Sequence, residues 1–562
     1  MNMISLSNDK LKKRVNELSN IIRAEYITDV NYLELYAGED TIEAINNIKN
    51  QVIYGRRGTG KTHLLRAFQE VLIEQYTIEK RIPIYIDLRK LLPLISVSDS
   101  NSIEFSIIVF KHIIDEIIKV LVENINFLYQ VNEFEENKFS GVKKIELEKK
   151  LKDLNVQFDG KEYKKLDEVQ LSEEEIKKIA LSLELSKDPQ FDASREKETT
   201  VTQTFKRTRY LSFADISNLL SEIPDLLDIK RIICILDEWS EIPLDSQLYL
   251  AELIKRGFIT SKFTFKIAAI TNRAKLGKSV EGKFLGLEDG GDIFPYNLDN
   301  RFVYEVNSQK TKDFFNDLLH KHLISIDNKF EDRLFKEEKK NGFLNIFLAN
   351  QALREILIAS AGIPRDFINL FINAYDQYMV NTSSGNARIG VKHIRLATID
   401  WYRADKKEQV DGIHNCKILL EEIINEIVIG KKKTHFLIPQ KYSSNIYLNQ
   451  LIDFRAIHLR KKGYSHKGNS GVVYDVYSVD YGCYTSIDVP QSKLDIDFIN
   501  KIDAIDNFRD VRRISLENKF FDTFLLNIGD AFTCPHCKVP VDTNHPAYIK
   551  RKLCNNCFLE TE

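Results

Sequence analysis

No part of this chain constrains its folding more than YGRRGTGKTHLL, Tyr54 to Leu65. Gly55, Gly58, Gly60, Lys61 and Thr62 satisfy the pattern G-x-x-x-x-G-K-[ST], after an apolar run that reads as a strand (NQVIYG) and before an amphipathic helix (KTHLLRAFQEVLIEQY). Glycines at these places let the backbone wrap a phosphate with its N–H groups pointing inward. The loop also lies at a helix N-terminus, whose partial positive charge favours an anion. Lys61 then neutralises β- and γ-phosphate charge and Thr62 ligates Mg²⁺. The predicted phosphate-contacting set runs Gly55, Arg56, Arg57, Gly58, Thr59, Gly60, Lys61, Thr62, His63.

Hydrolysis needs a second element, and RIICILDEWSEI supplies a candidate. Ile232 to Leu236 read as a strand buried on both faces, which ends in Asp237 and Glu238. Acids at the carboxyl end of such a strand are placed to hold the magnesium shell (Asp237) and to polarise an attacking water (Glu238). The expectation is that loop and acids serve one triphosphate. Downstream, FTFKIAAITNRAK reads as another strand, with Asn272 just beyond it as a water-orienting amide. Arg301 precedes a strand-like FVYEV, and Arg365 opens a helix after a Gly-x-Pro turn. A cation near developing phosphoryl charge is worth about 10³ to 10⁵ in rate when a neighbour supplies it. Arg301 reads equally as a surface salt-bridge partner.

In this order the motifs resemble those of the AAA+ ATPases: Walker A at Gly55 to Thr62, Walker B at Asp237 and Glu238, sensor 1 at Asn272, an arginine-finger candidate at Arg301 and sensor 2 at Arg365. Within that superfamily the chain is most similar to the origin-recognition-type initiators and their bacterial relatives, because a winged-helix candidate follows the sensor 2 helices. The resemblance covers roughly residues 25 to 490. It implies an α/β fold: a P-loop parallel-sheet core with a helical lid, then a winged helix and a small zinc ribbon. The implied division is a helical lead-in at 1–40, an ATPase core at 41–305, a lid at 306–405, the winged helix at 412–490, a helical linker at 491–530 and the ribbon at 531–562. One departure is that about 140 residues separate YIDLRKL from Asp237. Their Lys/Glu-rich part, about 130–205, reads as an insertion of solvated helices.

Length and charge bound the rest. At 562 residues the chain exceeds what one core serves. With 80 Lys and Arg against 82 Asp and Glu, any nucleic-acid surface is a local patch. No apolar stretch reaches the roughly 18 residues that a membrane span needs, so the expected compartment is the cytoplasm, without membrane contact. In 412–490 the order helix, helix, turn, hairpin matches a winged helix, the second helix being YLNQLIDFRAIHLRKKG. Lys431, Lys432 and Lys433 precede that helix, and Arg455, Arg460, Lys461, Lys462 and Lys467 lie along it and the turn beyond. Such a cluster tracks phosphates or merely forms a solvated face; winged helices also serve as protein contacts.

At the C-terminus Cys534-x2-Cys537, sixteen residues, then Cys554-x2-Cys557 match a closed four-thiolate Zn²⁺ site with structural work to do. His536 and His545 read as spectators. Lys538, Lys550, Arg551 and Lys552 make the ribbon basic, for nucleic acid or for a partner. Three functions compete, the least favoured being a scaffold that keeps nucleotide without turning it over, since Lys61, Thr62, Asp237 and Glu238 are all present. Of the other two, one is an ATP-binding and hydrolysing ATPase whose nucleotide state controls nucleic-acid binding, DNA first, and assembly. The other is an assembly ATPase of bacterial anti-phage defence, a homo-oligomer or hetero-assembly that activates a separate effector.

Overall fold

The computed structural model describes residues 6, 9–24, 31–92, 102–123, 146, 149–150, 213–227, 229–259, 261–280, 282–326, 342–381, 388–465, 471–485 and 514–561. Most of the 130–205 insertion, residues 491–513 of the linker, and Lys467 lie outside them. The chain forms two compact bodies. One comprises residues 41–54 and 65–296; the other comprises 1–40, 55–64 and 297–562.

The first body is built on a five-stranded sheet of order β2-β3-β4-β1-β7. Its strands are β1 (Gln51–Tyr54), β2 (Arg81–Asp87), β3 (Arg231–Asp237), β4 (Phe263–Ala269) and β7 (Phe294–Asn297), with a hairpin β5 (Gly277–Val280) and β6 (Lys283–Gly286) after β4. The pairings β1–β4, β2–β3 and β3–β4 are parallel. Every residue of β4 is buried, Thr264 and Lys266 included, and so are six of the seven in β3, whose apolar run Ile232 to Leu236 suits a strand covered on both faces. Helix α1 (Lys61–Glu74) follows the loop after β1. The long β2-to-β3 connection contains α2 (Ser102–Glu123) and α3 (Phe213–Leu226), and α4 (Leu244–Phe258) joins β3 to β4. Phe110 of α2 and Phe258 of α4 meet edge to face at 5.9 Å inside this core.

The second body is mostly helical: α5 (Ser308–Ser325), α6 (Asn350–Ala359), α7 (Pro364–Asn381), α8 (Val391–Trp401) and α9 (His414–Ile423). A three-stranded antiparallel sheet follows, of order β8-β10-β9: β8 (His435–Pro439), then α10 (Ile446–Asp453), β9 (Ile457–Ser465) and β10 (Val473–Val479). Helix α11 (Asn518–Asn527) leads to the small pair β11 (Ala531–Thr533) and β12 (Pro540–Asp542), then α12 (Pro546–Arg551). One continuous apolar core runs from Phe315, Phe343 and Phe367 through Leu419 and Leu451 to Tyr477 and Phe524. The helical region and the three-stranded sheet therefore share their interior.

Two expectations of local structure fail. FVYEV is a turn, not a strand: Val306 and Asn307 both donate to the carbonyl of Val303. The helix expected through YLNQLIDFRAIHLRKKG stops at Asp453, and its second half is β9. Arg455 takes a left-handed φ of 61°, with Ala456 N donating to Leu451 O and Arg455 N to Ile452 O, the pattern of a Schellman helix end. A glycine normally occupies that place. Here an arginine does, and its side chain shows why.

Candidate functional site

The phosphate loop is pinned from within the second body. Gly58 has φ +86°, and a Cβ there would meet Arg365 Cβ at 2.9 Å and Ile363 Cγ2 at 3.0 Å. Only glycine fits both that backbone and that neighbour. Arg365 N donates to Gly58 O at 3.3 Å, so the start of α7 lies directly on the loop. Lys61 Nζ donates to the carbonyls of Gly55 (2.6 Å) and Arg56 (3.1 Å). Arg56 N donates to Asp299 Oδ1 at 2.6 Å, and Arg57 is exposed. Thr59 Oγ1 closes the turn on Arg56 O at 2.9 Å. Thr62 is half-buried in the first turn of α1.

His63 Nε2 donates to Tyr32 O at 2.9 Å, and its ring meets those of Tyr36 and His322 edge to face at 5.2 and 6.2 Å. Burial pulls its protonation down to about 4, so the ring is neutral at pH 7. Arg365 is a largely buried cation whose hold on its proton is lowered by burial first and then by the nearby Arg455. Its Nε finds no hydrogen-bond partner among the described residues. Arg301 is paired with Asp40 at 2.6 Å, the salt-bridge reading of that residue.

In the sheet body the strand ends are level: Tyr54 pairs with Ala269, Leu236 with Ile267, and Asp87 with Asp237. Asp237 is buried and its Oδ2 accepts from Tyr85 Oη at 2.6 Å. Tyr85 is itself covered by the Arg66 guanidinium, 3.4 Å from its ring centroid. Burial and the adjacent Asp237 push the Tyr85 hydroxyl far above its ordinary range, fixing it as a donor. Glu238 adopts a left-handed backbone, φ 59°, which a non-glycine residue holds only at a cost and which concentrates at functional positions. Its carboxylate faces Arg89 Nη1 at 3.7 Å, while Arg89 grips Asp87 in a two-pronged pair at 2.9 and 3.0 Å. Asn272 is exposed in the turn after β4, and Ser240 Oγ accepts from Ile270 N at 2.7 Å, tying that turn to the end of β3. Tyr85, Arg66 and Arg89 escaped the sequence reading; the signal was their place at the end of β2 and on α1, beside the Asp237 strand.

The four cysteines converge. Cys534 and Cys557 Sγ lie 3.8 Å apart, Cys537 and Cys554 Sγ 3.7 Å, and all four lie within 4.8 Å of one another. A tetrahedron with Zn–S bonds of about 2.3 Å has edges of about 3.8 Å, so the donor set fits zinc. Asn556 offers its backbone N–H to Cys554 Sγ (3.4 Å) and its amide to Cys537 Sγ (3.6 Å), as outer-shell donors to thiolates do. His536 is turned to Glu560 O at 2.9 Å and His545 caps α12, so both are spectators.

The winged-helix cations divide. Lys431, Lys432, Lys461 and Lys462 are exposed, but Arg455 and Arg460 are not: they are 4% and 5% exposed and turned inward. Arg455 bridges Asp366 and Asp405; Arg460 Nε donates to Ser478 Oγ at 2.8 Å. Charge along a sequence does not tell surface from interior, and these two cations leave the expected cluster.

Residues 17–356 match the ORC-CDC6-like family. The chain belongs to that family. Three solved structures are similar to it at low identity. Aeropyrum pernix ORC1 in complex with DNA is 14% identical over 83% of this chain and 94% of its own, with a TM-score of 0.30. Drosophila ORC bound to DNA is 10% identical over 85% and 92%, at 0.30. A point variant of Thermotoga maritima RuvB is 15% identical over 50% and 76%, at 0.22. No curated protein matches the chain. As an ORC-CDC6-like AAA+ chain it carries the core expected from its motifs, and among the described residues no helix is long and apolar enough to cross a membrane.

Proposed function

We propose that this ORC-CDC6-like chain binds ATP·Mg²⁺, hydrolyses it, and uses its nucleotide state to control nucleic-acid binding, DNA first, and assembly. The observation that carries the reading is the loop itself: Gly58 packed on Arg365 with no room for a Cβ, and Lys61 held on the loop's own carbonyls. In this reading Lys61 takes the β- and γ-phosphates, Thr62 and Asp237 hold magnesium, Glu238 polarises water, Asn272 orients it, and Arg365 and Arg301 answer developing charge. Lys431, Lys432, Lys461 and Lys462, and separately Lys538, Lys550, Arg551 and Lys552 of the C-terminal segment, are exposed cations for phosphate contact despite the net charge of -2. Gel-shift titration with and without ATP tests it. Binding that responds to ATP and weakens with salt is expected; no salt-dependent binding to any duplex or single strand removes the nucleic-acid half.

The same reading gives Cys534, Cys537, Cys554 and Cys557 a structural Zn²⁺. Stoichiometric zinc by elemental analysis, and loss of structure in the C-terminal segment on chelation, are expected; a folded, zinc-free segment refutes it.

The defence-assembly reading gains from one observation. Arg455 and Arg460 point inward, which thins the cationic footprint available to nucleic acid. Size measurement with a non-hydrolysable nucleotide separates the two. A ring or filament that forms without nucleic acid favours this second function.

A further inference from the structure

A chain of buried polar side chains starts at the phosphate loop. Arg56, 4% exposed, donates through Nη1 to His458 Nδ1 on β9. A guanidinium only donates, so Nδ1 must offer its lone pair and the ring is neutral with its proton on Nε2. That Nε2 donates to Asp480 Oδ2 at 2.9 Å. The same oxygen accepts from Lys406 Nζ at 2.8 Å, and Lys406 lies 3.3 Å from Asp366 Oδ2. Asp366 follows Arg365 in the chain and is held by Arg455, which also reaches Asp405. His458, Asp480, Lys406 and Asp366 are each at most 2% exposed.

The loop end of this chain is equally fixed. Arg56 Nε lies 3.2 Å from Asp299 Oδ1, and the carbonyl of Arg56 is one of the two that receive the Lys61 ammonium. Asn300, next to Asp299, donates to Arg460 O on β9 at 2.9 Å. Residue 56 therefore has two faces: its carbonyl on the phosphate-binding lysine and its guanidinium on the C-terminal sheet. A ligand that draws Lys61 off the loop carbonyls acts on the residue that anchors β9. Because leaving any member of a buried ionic chain without its partner is costly, the members shift together or not at all.

We propose that Arg56 and His458 are positioning residues that couple the phosphate loop to the β8–β10 domain, so that nucleotide occupancy and the placement of β9 are linked. This rests on the reading that the loop binds ATP. Linkage is reciprocal: whatever the C-terminal domain binds then alters ATP affinity by the same factor.

Amide hydrogen exchange of the full-length chain, with and without saturating ATP·Mg²⁺, reads the link directly in Ile457–Ser465 and Tyr402–Lys407. In the wild type ATP is expected to change exchange in these segments by about fivefold or more. His458→Leu is expected to lose that response while still binding ATP. His458→Gln, which keeps an acceptor and a donor on the same side chain, is expected to regain it, and a merely structural role does not yield this rescue. Should His458→Leu fail to fold by thermal melting, His458→Asn, polar but too short to span the same two partners, carries the same test with Arg56 and Asp480 in place. A wild type that binds ATP without altering β9, or a His458→Leu that responds like wild type, overturns the coupling. Absence of ATP binding overturns the parent reading instead, and it is recorded as a missing binding isotherm rather than a missing response.

Discussion

Two regions of this molecule gather opposite charges, and they do so differently. At the strand ends of the sheet body, Arg89 is 39% exposed and faces Asp87 and Glu238 across partly solvated space. In the second body, Arg455 and Lys406 meet Asp366 and Asp480 with nothing above 4% exposed. An open cluster keeps water and can exchange partners, which a reacting centre needs. A sealed one fixes geometry, since each charge relies on its neighbours for solvation. One left-handed non-glycine residue stands in each cluster, Glu238 at the open end and Arg455 inside the sealed chain.

The comparison breaks first at Glu238. Glu238→Gln keeps the size of the side chain but removes the base of the proposed hydrolysis, so on that proposal turnover falls by about 10² to 10⁴ with ATP binding retained. Phosphate release indistinguishable from wild type would make the chain a nucleotide-holding scaffold. Next comes the sealed cluster. Arg455→Met removes one of the two cations that hold the buried Asp366, Lys406 being the other, and is expected to cost about 3–5 kcal/mol of stability in denaturant melts. The matching change Arg89→Met should cost only about 0–1 kcal/mol, because the Arg89 side chain is 39% exposed and water screens its pairs. Equal costs would erase the distinction between the two regions.

How much of this was legible follows from range. The loop, the acids after Leu236 and the cysteine pairs are local patterns in which backbone geometry or metal geometry dictates residue type within a few positions. The sealed cluster is not local. Arg455 and Asp366 are 89 residues apart, and Arg56 and His458 are 402 apart, so no window of sequence contains both partners. A basic run in a predicted helix then reads as surface, which holds for Lys461 and Lys462 and fails for Arg455 and Arg460. FVYEV misleads for a related reason: β-branched and aromatic residues fit a strand, but packing of Phe302 and Val303 in a turn overrides that preference.

Acid sharpens the contrast in a smaller step. His322 and His435 are held neutral down to about 3, and His458 well below its ordinary value, by burial first and then by nearby cations or, for His322, the His63 ring. For a base with a depressed folded-state value, the unfolded chain takes up a proton that the folded one refuses. Stability is therefore complete above the unfolded value of 6.5 and lost as pH falls through it. Three such rings amount to about 2–3 kcal/mol by pH 6, all of it in the second body. Melting followed between pH 7.5 and 5.5 should drop well before carboxylates titrate. A flat profile down to pH 5 means these rings are solvated in solution.

The smallest expected effect concerns Arg301, whose partner Asp40 is 51% exposed at its side chain and shared with Lys310 at 3.0 Å. Water screens such a pair, so Asp40→Ala should change stability by no more than about 1 kcal/mol. Its proposed catalytic consequence sets this pair apart from the sealed cluster of the same body. An arginine held by a half-exposed carboxylate is released far more readily than one sealed like Arg455, and only a releasable cation serves a neighbouring subunit's phosphates. If Arg301 has that role, ATP turnover per chain in Asp40→Ala rises more steeply with protein concentration than in the wild type, and adding Arg301→Ala abolishes the rise. A slope unchanged by Asp40→Ala leaves Arg301 as an ion-pair partner within its own chain, and the source of the finger must then be sought on another residue.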